Sequence, residues 1–265
     1  MKNMSRLTQY VAFAVVAASM VATSFAQQLS QSTAKIVRIK GSARYADTSN
    51  VWKPLKVGDV LKAGTIIQTA ADSQVDIVLG EKDATADGLK WGQTSSYVGA
   101  GGDDSHSQRD FIRISPNSVL AFERLLIADT GTDKIREIEL DLRSGEVFGT
   151  VKKLNRGSRY EVKVPNAVAG IRGTVYKITA GGQVLVLSGA VEVGYRDANG
   201  NIVTQTVNQG QTFDASTGQV NTLSPSDRST MSSIVRTSVT YPNTSTTFSY
   251  NGNEYWVSPT TGSKP

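Results

Sequence analysis

The stretch that decides the fold of this chain is VLVLSGAVEV, residues 184–193. Its two apolar runs, 184–187 and 190–193, are nearly continuous rather than alternating, which is typical of strands covered on both faces. Ser188-Gly189 separates the runs with a turn. The stretch therefore predicts a hairpin of buried strands at the centre of a β domain.

Other segments alternate between apolar and polar residues with the period of a strand. The segments 75–79 and 138–142 place an apolar residue at every second position. Each predicts a strand with one buried face and one face in water. Asn199-Gly200 marks a further hairpin turn, because both residues tolerate the positive φ that such turns need.

From Lys35 to Phe213, short runs of β-branched and apolar residues are repeatedly interrupted by Gly, Asn, Asp or Pro. Such spacing is typical of many short strands. No stretch of this region keeps a helical period for three turns. The pattern predicts one all-β domain over residues 34–213, with many short antiparallel strands in a compact sandwich or roll. It leaves open whether the strands close into a barrel.

The N-terminus has the pattern of a secretory signal peptide. Lys2 and Arg6 precede the apolar run 11–22, and Ser24-Phe25-Ala26 offers small residues at both recognition positions. The run is too short to cross a hydrocarbon core, which needs about 20 residues. Residues 1–26 are therefore predicted to be removed. The mature protein is expected to be exported to the periplasm or the cell surface, without a transmembrane span.

Composition excludes several classes of site and partner. The chain has no cysteine, and therefore no disulfide, thiolate metal ligand or lipid-bearing Cys. Without Lys2 and Arg6 the 28 basic residues become 26, against 23 acidic residues, a net charge of +3. This balance, with basic residues scattered along the chain, argues against a nucleic-acid partner. The one local basic cluster, within 152–159, is predicted to be a solvated turn.

Residues 81–110 are rich in Gly, Asp, Ser and Thr, and are predicted to form a long surface loop inserted between strands. Trp91 and Tyr97 either pin this loop by packing or offer an aromatic contact surface, so both are candidate partner-binding residues. The loop also carries the sole histidine, His106, which is expected to be solvated.

Residues 222–265 are dominated by Ser and Thr with scattered Pro, and are predicted to form a flexible tail. Start signals at 224–226 and a shared apolar face favour a short helix over 226–235. Trp256 either docks back onto the domain or binds a partner, and it is a further candidate partner-binding residue.

Several glycine-punctuated motifs follow one another along the chain. They are Leu55-x-x-Gly58-Asp59-x-Leu61-x-x-Gly64-Thr65-x-Ile67-x-Thr69, Ile112-Arg113-Ile114-Ser115-Pro116-Asn117-Ser118, Ser144-Gly145-Glu146-Val147, Val162-x-Val164-Pro165-Asn166-Ala167-x-Ala169-x-Ile171-Arg172-Gly173-Thr174 and residues 186–193. Taken in this order, the set resembles the FecR domain over Ala34 to Phe213. The resemblance implies an exported module, since that domain is the periplasmic part of bacterial iron-transport regulators and occurs in many exported proteins.

The resemblance does not extend to the other parts of such regulators. They resemble anti-sigma proteins, with a cytoplasmic segment and a membrane helix before the sensing domain. This chain is expected to lack both, because the β domain begins about ten residues after the predicted cleavage site. It is therefore expected not to contact a cytoplasmic sigma factor itself, and a signalling role would require a separate membrane protein.

Local roles can be assigned to the conspicuous motif residues. Three glycines are predicted to make sharp turns with positive φ: Gly58, Gly64 and Gly173. Four short polar side chains are predicted to bond nearby backbone amides at turns: Asp59, Thr65, Ser118 and Thr174.

Arg172 has two open roles. It either locks two loops through several carbonyl groups, or binds a carboxylate or phosphate of a partner. It joins the aromatic residues above as a candidate partner-binding residue.

No catalytic, cofactor or metal site is predicted. A nucleophilic triad needs a base, usually His, held against Ser or Cys, and the sole histidine, His106, lies in a Gly- and Asp-rich loop. A zinc site is unsupported, because Cys is absent and one imidazole would need several carboxylates close by. The acidic residues of the inserted loop fit no recognised calcium loop: Asp83, Asp87, Asp103 and Asp104. Paired carboxylates for sugar hydrolysis remain open, and the candidate pairs are Asp72 with Asp76 and Glu137 with Glu139. Alternation places Glu137 and Glu139 on a polar strand face.

The leading hypothesis is an exported, non-enzymatic module of the cell envelope that binds or assembles with a protein or glycan, using the 81–110 loop and the aromatic tail. The first alternative is an accessory of envelope signal transduction of the iron-uptake type. The second is a carbohydrate-active enzyme on a β scaffold.

The signal-peptide prediction has a direct test. The exported protein should begin at Gln27, because cleavage is expected after Ala26. N-terminal sequencing of the protein recovered from outside the cytoplasm checks this. An N-terminus at Met1 in that fraction would contradict it.

Overall fold

A computed structural model describes residues 29–80, 110–129, 134–239, 246–250 and 253–257. These residues form 21 strands and one helix, so the predicted all-β fold is confirmed. The strands are β1 Ser30–Gln31, β2 Thr33–Lys40, β3 Ala43–Ala46, β4 Trp52–Pro54, β5 Val60–Leu61, β6 Thr65–Thr69, β7 Gln74–Gly80, β8 Phe111–Ile114, β9 Val119–Asp129, β10 Lys134–Ser144, β11 Glu146–Thr150, β12 Arg159–Val164, β13 Ala167–Ile171, β14 Val175–Thr179, β15 Gln183–Ser188, β16 Ala190–Arg196, β17 Ile202–Asn208, β18 Gln211–Asp214, β19 Gln219–Thr222, β20 Thr246–Tyr250 and β21 Asn253–Val257. Helix α1, Pro225–Val239, lies between β19 and β20.

Two large sheets enclose the main core. Sheet A has the order β17-β16-β13-β12-β10-β9-β6-β3-β4, with β1 also paired to β9, and sheet B has the order β19-β18-β15-β14-β11-β8-β7-β2-β5. Strands β20 and β21 form a separate hairpin within the segment predicted to be a tail. The inward-facing side chains of both sheets share one hydrophobic cluster. The architecture is therefore a sandwich.

The chain builds both sheets together by crossing repeatedly from one to the other. It lays down one or two strands in a sheet, crosses, and places the next strands beside those already there. Both sheets therefore grow in the same direction along the chain. One end of the sandwich has the edge strands β4 and β5, and the other has β17 and β19.

The hairpin predicted at Ser188-Gly189 is wrong. Strand β15 pairs with β14 and β18 in sheet B, whereas β16 pairs with β13 and β17 in sheet A. The turn therefore carries the chain between sheets. Burial on both faces is confirmed for β15, because Val184 and Val186 lie in the main core while Leu185 packs in a second cluster. Strand β16 alternates between buried and exposed residues instead.

Residues with positive φ mark the crossings. Nine of the ten crossings between β2 and β18 contain one, and the β11 to β12 connection is the exception. They are Gly41, Gly58, Gly64, Asp72, Asn117, Gly145, Gly173, Gly189 and Gly210. The predicted turn role of Gly58, Gly64 and Gly173 is confirmed.

Neighbouring crossings are joined by one repeated hydrogen bond. A Ser or Thr directly after a positive-φ residue bonds to the backbone directly after the glycine of the adjacent crossing. Ser73 Oγ accepts from the Ser42 N–H at 2.9 Å, and Ser118 Oγ accepts from the Glu146 N–H at 3.0 Å. In the third case Thr174 Oγ1 donates to the Ala190 carbonyl at 2.8 Å. The crossings thus form a bonded stack along the sandwich.

This geometry revises the predicted roles of the short polar residues. Asp59 accepts from the nearby Lys56 N–H at 2.8 Å, as predicted. Ser118 and Thr174 instead make the long-range bonds between crossings, and Thr174 acts as a donor to a carbonyl rather than as an acceptor from an amide. Thr65 is buried at the start of β6.

Helix α1 covers part of the outer face of sheet B. The helix predicted over 226–235 is confirmed and is longer on both sides. Ser224 caps it, accepting from the Asp227 N–H at 3.0 Å. Met231 packs against Leu185 in a cluster that also includes Phe111, Phe148 and Leu223. Across the described residues, no helix has the length and apolarity needed to cross a membrane.

Gly189 provides the sharpest test of the crossing stack. Its φ is +84°, and a Cβ there would lie 2.4 Å from the Gly173 carbonyl oxygen. Gly189→Ala should therefore combine the cost of positive φ, about 1–2 kcal/mol, with a steric clash of about 1–3 kcal/mol. Urea unfolding monitored by circular dichroism measures the loss.

Gly200→Ala is the matched control. Gly200 has nearly the same φ, +83°, in the β16–β17 hairpin, but nothing lies within 4 Å of the added Cβ. The free energy of unfolding of this variant should fall only by the backbone cost of positive φ, about 1–2 kcal/mol. Equal losses in the free energy of unfolding for the two variants would show that the close approach of adjacent crossings contributes nothing to the destabilisation by Gly189→Ala.

Candidate functional site

The residues predicted to bind a partner are not brought together by the described part of the structure. Arg172 is exposed after β13, and its Nη2 donates to one loop carbonyl, that of Arg156, at 3.4 Å. Trp91 and Tyr97 lie outside the described residues, as do His106 and the four loop aspartates. Trp256 belongs to β21, of which only the backbone is described.

Asp72 and Asp76, one candidate carboxylate pair, have different environments. Asp72 is exposed at a crossing. Asp76 was expected on a wet strand face, but this expectation is wrong, because it is only 1% exposed. Its carboxylate accepts from Arg113 Nε at 2.7 Å and from Arg38 Nε at 2.7 Å. Such an ion-paired, buried carboxylate is suited to holding strands together.

Glu137 and Glu139, the other pair, lie on the outer face of sheet A, so their predicted polar face is confirmed. Arg124 Nη1 is 3.1 Å from Glu137 Oε2, and Lys163 Nζ bonds to Glu139. The bond from Lys163 lowers the pKa of Glu139. Both carboxylates therefore take part in cross-strand ion pairs on this face.

A second buried carboxylate lies at the end of the predicted inserted loop. Asp110 is 1% exposed, accepts from the Lys152 N–H at 2.9 Å and pairs with Arg136. Burial raises the pKa of Asp110, and the Arg136 charge opposes that rise. Close by, the hydroxyl groups of Tyr160 and Tyr176 lie 3.1 Å apart. The pair of Asp110 with Arg136 thus ties the start of β8, in sheet B, to β10, in sheet A.

The outer face of sheet A presents one row of side chains in continuous register. From edge to edge the row is Trp52, Ala46, Ile66, Ala121, Asp141, Lys163, Val168, Gly194 and Thr204. The residues on either side of each row position along its strand point inward, as the core shows for Leu140 and Val162. A row of mostly small and polar residues therefore crosses nine strands, and two of its members, Ala46 and Ala121, are buried between their neighbours, at 2% and 3% exposure.

A shallow groove of about 420 Å³ lies on this row. Its lining is Glu123, Asp141, Arg143, Lys163, Val164 and Pro165. Arg143 bridges the two acids, with Nε 2.8 Å from Asp141 Oδ2 and Nη2 3.5 Å from Glu123 Oε1. The bond from Asp141 raises the pKa of Arg143. Two acidic and two basic groups thus face solvent with a net charge of zero.

An aromatic side chain lies at the β4 end of the same row. Trp52 is 43% exposed, and the Arg44 guanidinium carbon is 4.5 Å from the centroid of its ring. Arg44 Nε also donates to Gln68 Oε1 at 2.9 Å, which ties strands β3 and β6 together on this face. This cation–π contact orients an amphipathic ring and two planar polar groups toward solvent.

The exposed position of Trp52 was not predicted from the sequence, although the sequence contains a signal for it. Pro54 follows two residues later, and proline within a strand is confined to sheet edges and bulges. A large aromatic beside such a proline is therefore placed at an edge, where it stays accessible. The groove had no comparable signal, because its charges come from three separate strands.

The family comparison agrees with the motif analysis. The FecR protein family model matches residues 105–192, one third of the chain, from just before β8 into β16. The predicted resemblance to the FecR family is therefore confirmed over this part of the predicted range. No curated protein matches the chain.

Two solved structures of a candidate anti-sigma factor from Parabacteroides distasonis were also found. Each is 18% identical to this chain and covers 42% of it, with TM-scores of 0.31 and 0.30. The matches span about half of those chains, 50% and 49%. Likeness at this level carries no argument about fold or function, so the resemblance to the FecR family rests on the sequence motifs and the match over 105–192.

Within the described ranges, no three His, Asp or Glu side chains are grouped as metal ligands. The outer face of sheet A carries charged, amide and aromatic side chains.

The structural role of Asp76 can be tested by substitution. Asp76→Ala should destabilise the fold by about 3–5 kcal/mol, because it removes the buried charge that Arg113 and Arg38 share. Asp141→Ala is the control, since its ion pair with Arg143 is solvent-exposed and should matter by about 1 kcal/mol or less. Urea unfolding of both variants checks this, and a loss below about 1 kcal/mol for Asp76→Ala would contradict the assigned role.

Proposed function

We propose that the protein is an exported, non-enzymatic module of the bacterial cell envelope that binds a partner through the outer face of sheet A. The observation that carries the proposal is the row in continuous register from Trp52 to Thr204, with its exposed tryptophan at one edge and its groove of paired charges. The signal-peptide pattern of residues 1–26 supports export to the periplasm or cell surface.

The environment of the carboxylates supports binding rather than hydrolysis. A glycosidase needs two acids that face each other across a cleft, one of them protonated. Asp76 is buried between two arginines, and Glu137 and Glu139 are paired with cations on the outer face of sheet A. None of these three is presented as an acid facing a partner carboxylate.

A signalling role is the second candidate, and the FecR match over 105–192 favours it. In that case the module senses a partner and passes the information to a separate membrane protein. Deleting the gene should then change the transcript profile under iron limitation or siderophore supply. An unchanged profile would remove this candidate and leave a purely binding or assembly role.

The binding proposal is tested with the mature protein and fractions of the cell envelope. The double variant Arg143→Ala/Lys163→Ala removes both basic groups of the groove and should lower recovery of the bound fraction about tenfold, equivalent to about 1.4 kcal/mol. Lys40→Ala/Arg228→Ala is the control, because it removes two exposed basic groups elsewhere, in β2 and α1. It should behave as the wild type.

Two results would contradict the proposal. If the groove variant and the control recover the same material in the same amount, the outer face of sheet A is not the partner surface. If a glycan-hydrolysis screen finds turnover that one Asp or Glu substitution abolishes, the protein is an enzyme.

A further inference from the structure

We propose that the outer face of sheet A binds a neutral polysaccharide laid across the strands, from Trp52 at the edge to the groove at Asp141. This inference rests on the proposed function and names the ligand class of the same surface. It follows from the register of the row, from the charges of the groove and from the aromatic group at the edge.

The register sets the length of ligand that the surface fits. Trp52 on β4 and Asp141 on β10 are four strand spacings apart along one row. At about 4.8 Å per spacing the two ends are about 19 Å apart. Between them lie Ala46, Ile66 and Ala121, which leave no charged ridge across the path. An extended polymer can therefore contact both ends at once.

The charges of the groove select an uncharged ligand. Arg143 pairs with Glu123 and Asp141, and Lys163 pairs with Glu139 beside the groove, so a polyanion or a polycation would meet at least two groups of its own sign. Hydroxyl groups meet no such penalty, because they donate to carboxylates and accept from guanidinium and ammonium groups. Charge complementarity thus favours a neutral, polyhydroxylated chain over a charged one.

Trp52 supplies the apolar half of sugar recognition. A pyranose ring has a face of C–H groups that packs against an indole ring, while its hydroxyl groups project at the rim. The rim beside Trp52 is formed by Arg44 and Gln68, whose planar polar groups supply donors next to the ring. One aromatic group with amide and guanidinium neighbours is therefore well matched to one sugar unit.

The same composition disfavours a protein partner on this face. The centre of a protein–protein interface is depleted in charged residues and rich in apolar contacts. Here charged side chains occupy the centre on β9, β10 and β12. Besides Trp52, the large apolar residue exposed in the row is Val168, at 39%. A protein partner is accordingly the outcome that the experiment must separate from a polysaccharide.

The test uses the mature protein in affinity electrophoresis through gels that contain neutral, anionic or cationic polysaccharides. The wild type should be retarded by at least one neutral polymer, and retardation should survive high salt because no ion pairing is involved. Trp52→Ala and Asp141→Asn/Arg143→Gln should each weaken binding about tenfold. The second variant keeps the groove charge at zero. Val57→Ala, an exposed apolar residue off the row, should bind as the wild type.

Oligosaccharides of the retarding polymer then test the span by calorimetry. Affinity should rise with chain length until both ends are contacted, and Trp52→Ala should remove the gain made by the longer chains. Chains that bind equally at every length would contradict the two-ended site.

Several outcomes overturn this inference alone. They are retardation by charged polymers only, binding that salt abolishes, and equal binding by Trp52→Ala and wild type. Retardation by no polysaccharide, together with groove-dependent recovery of an envelope protein, also overturns it and leaves the proposed function standing. Loss of both kinds of binding overturns both proposals.

Discussion

The structure depends on the ability of the backbone to turn from one sheet into the other at closely stacked crossings. Gly173 and Gly189 approach so closely that a side chain at Gly189 would overlap the Gly173 carbonyl. Thr174 joins the two crossings through its bond to Ala190. The same relation recurs at Ser73 and Ser118, so the sandwich is assembled from one repeated connection. A stack of this kind keeps successive strands in register without any disulfide.

The crossings also decide which surfaces remain open. Because the two sheets face each other along their whole length, each has a single outward face. The outer face of sheet B is partly covered by α1, through Met231 and Leu185, and it contains the buried Asp76 ion pairs. The row on sheet A from Trp52 to Thr204 includes the exposed residues Trp52 and Val168, although Ala46 and Ala121 within it are buried. The proposed partner surface is for this reason placed on sheet A.

Buried and exposed charges have different roles in this fold. Asp76 and Asp110 are withdrawn from water and require their arginines, since an unpaired buried charge would destabilise the fold strongly. Glu137, Glu139 and Asp141 form pairs that water screens, which contribute little to stability. Such exposed groups keep hydrogen-bonding capacity for a ligand. This contrast supports the proposal that the groove is a surface for recognition.

The sequence by itself determined the all-β class, the FecR resemblance, the inward residues of 138–142 and the positive φ of the turn glycines, because these depend on local periodicity and backbone sterics. It did not distinguish a hairpin from a crossing at Ser188-Gly189, since both require the same left-handed residue. Nor did it place Asp76, whose burial comes from Arg38 and Arg113 on other strands. The row from Trp52 to Asp141 was likewise decided only by tertiary structure, because its register is set by pairing between strands far apart in the chain.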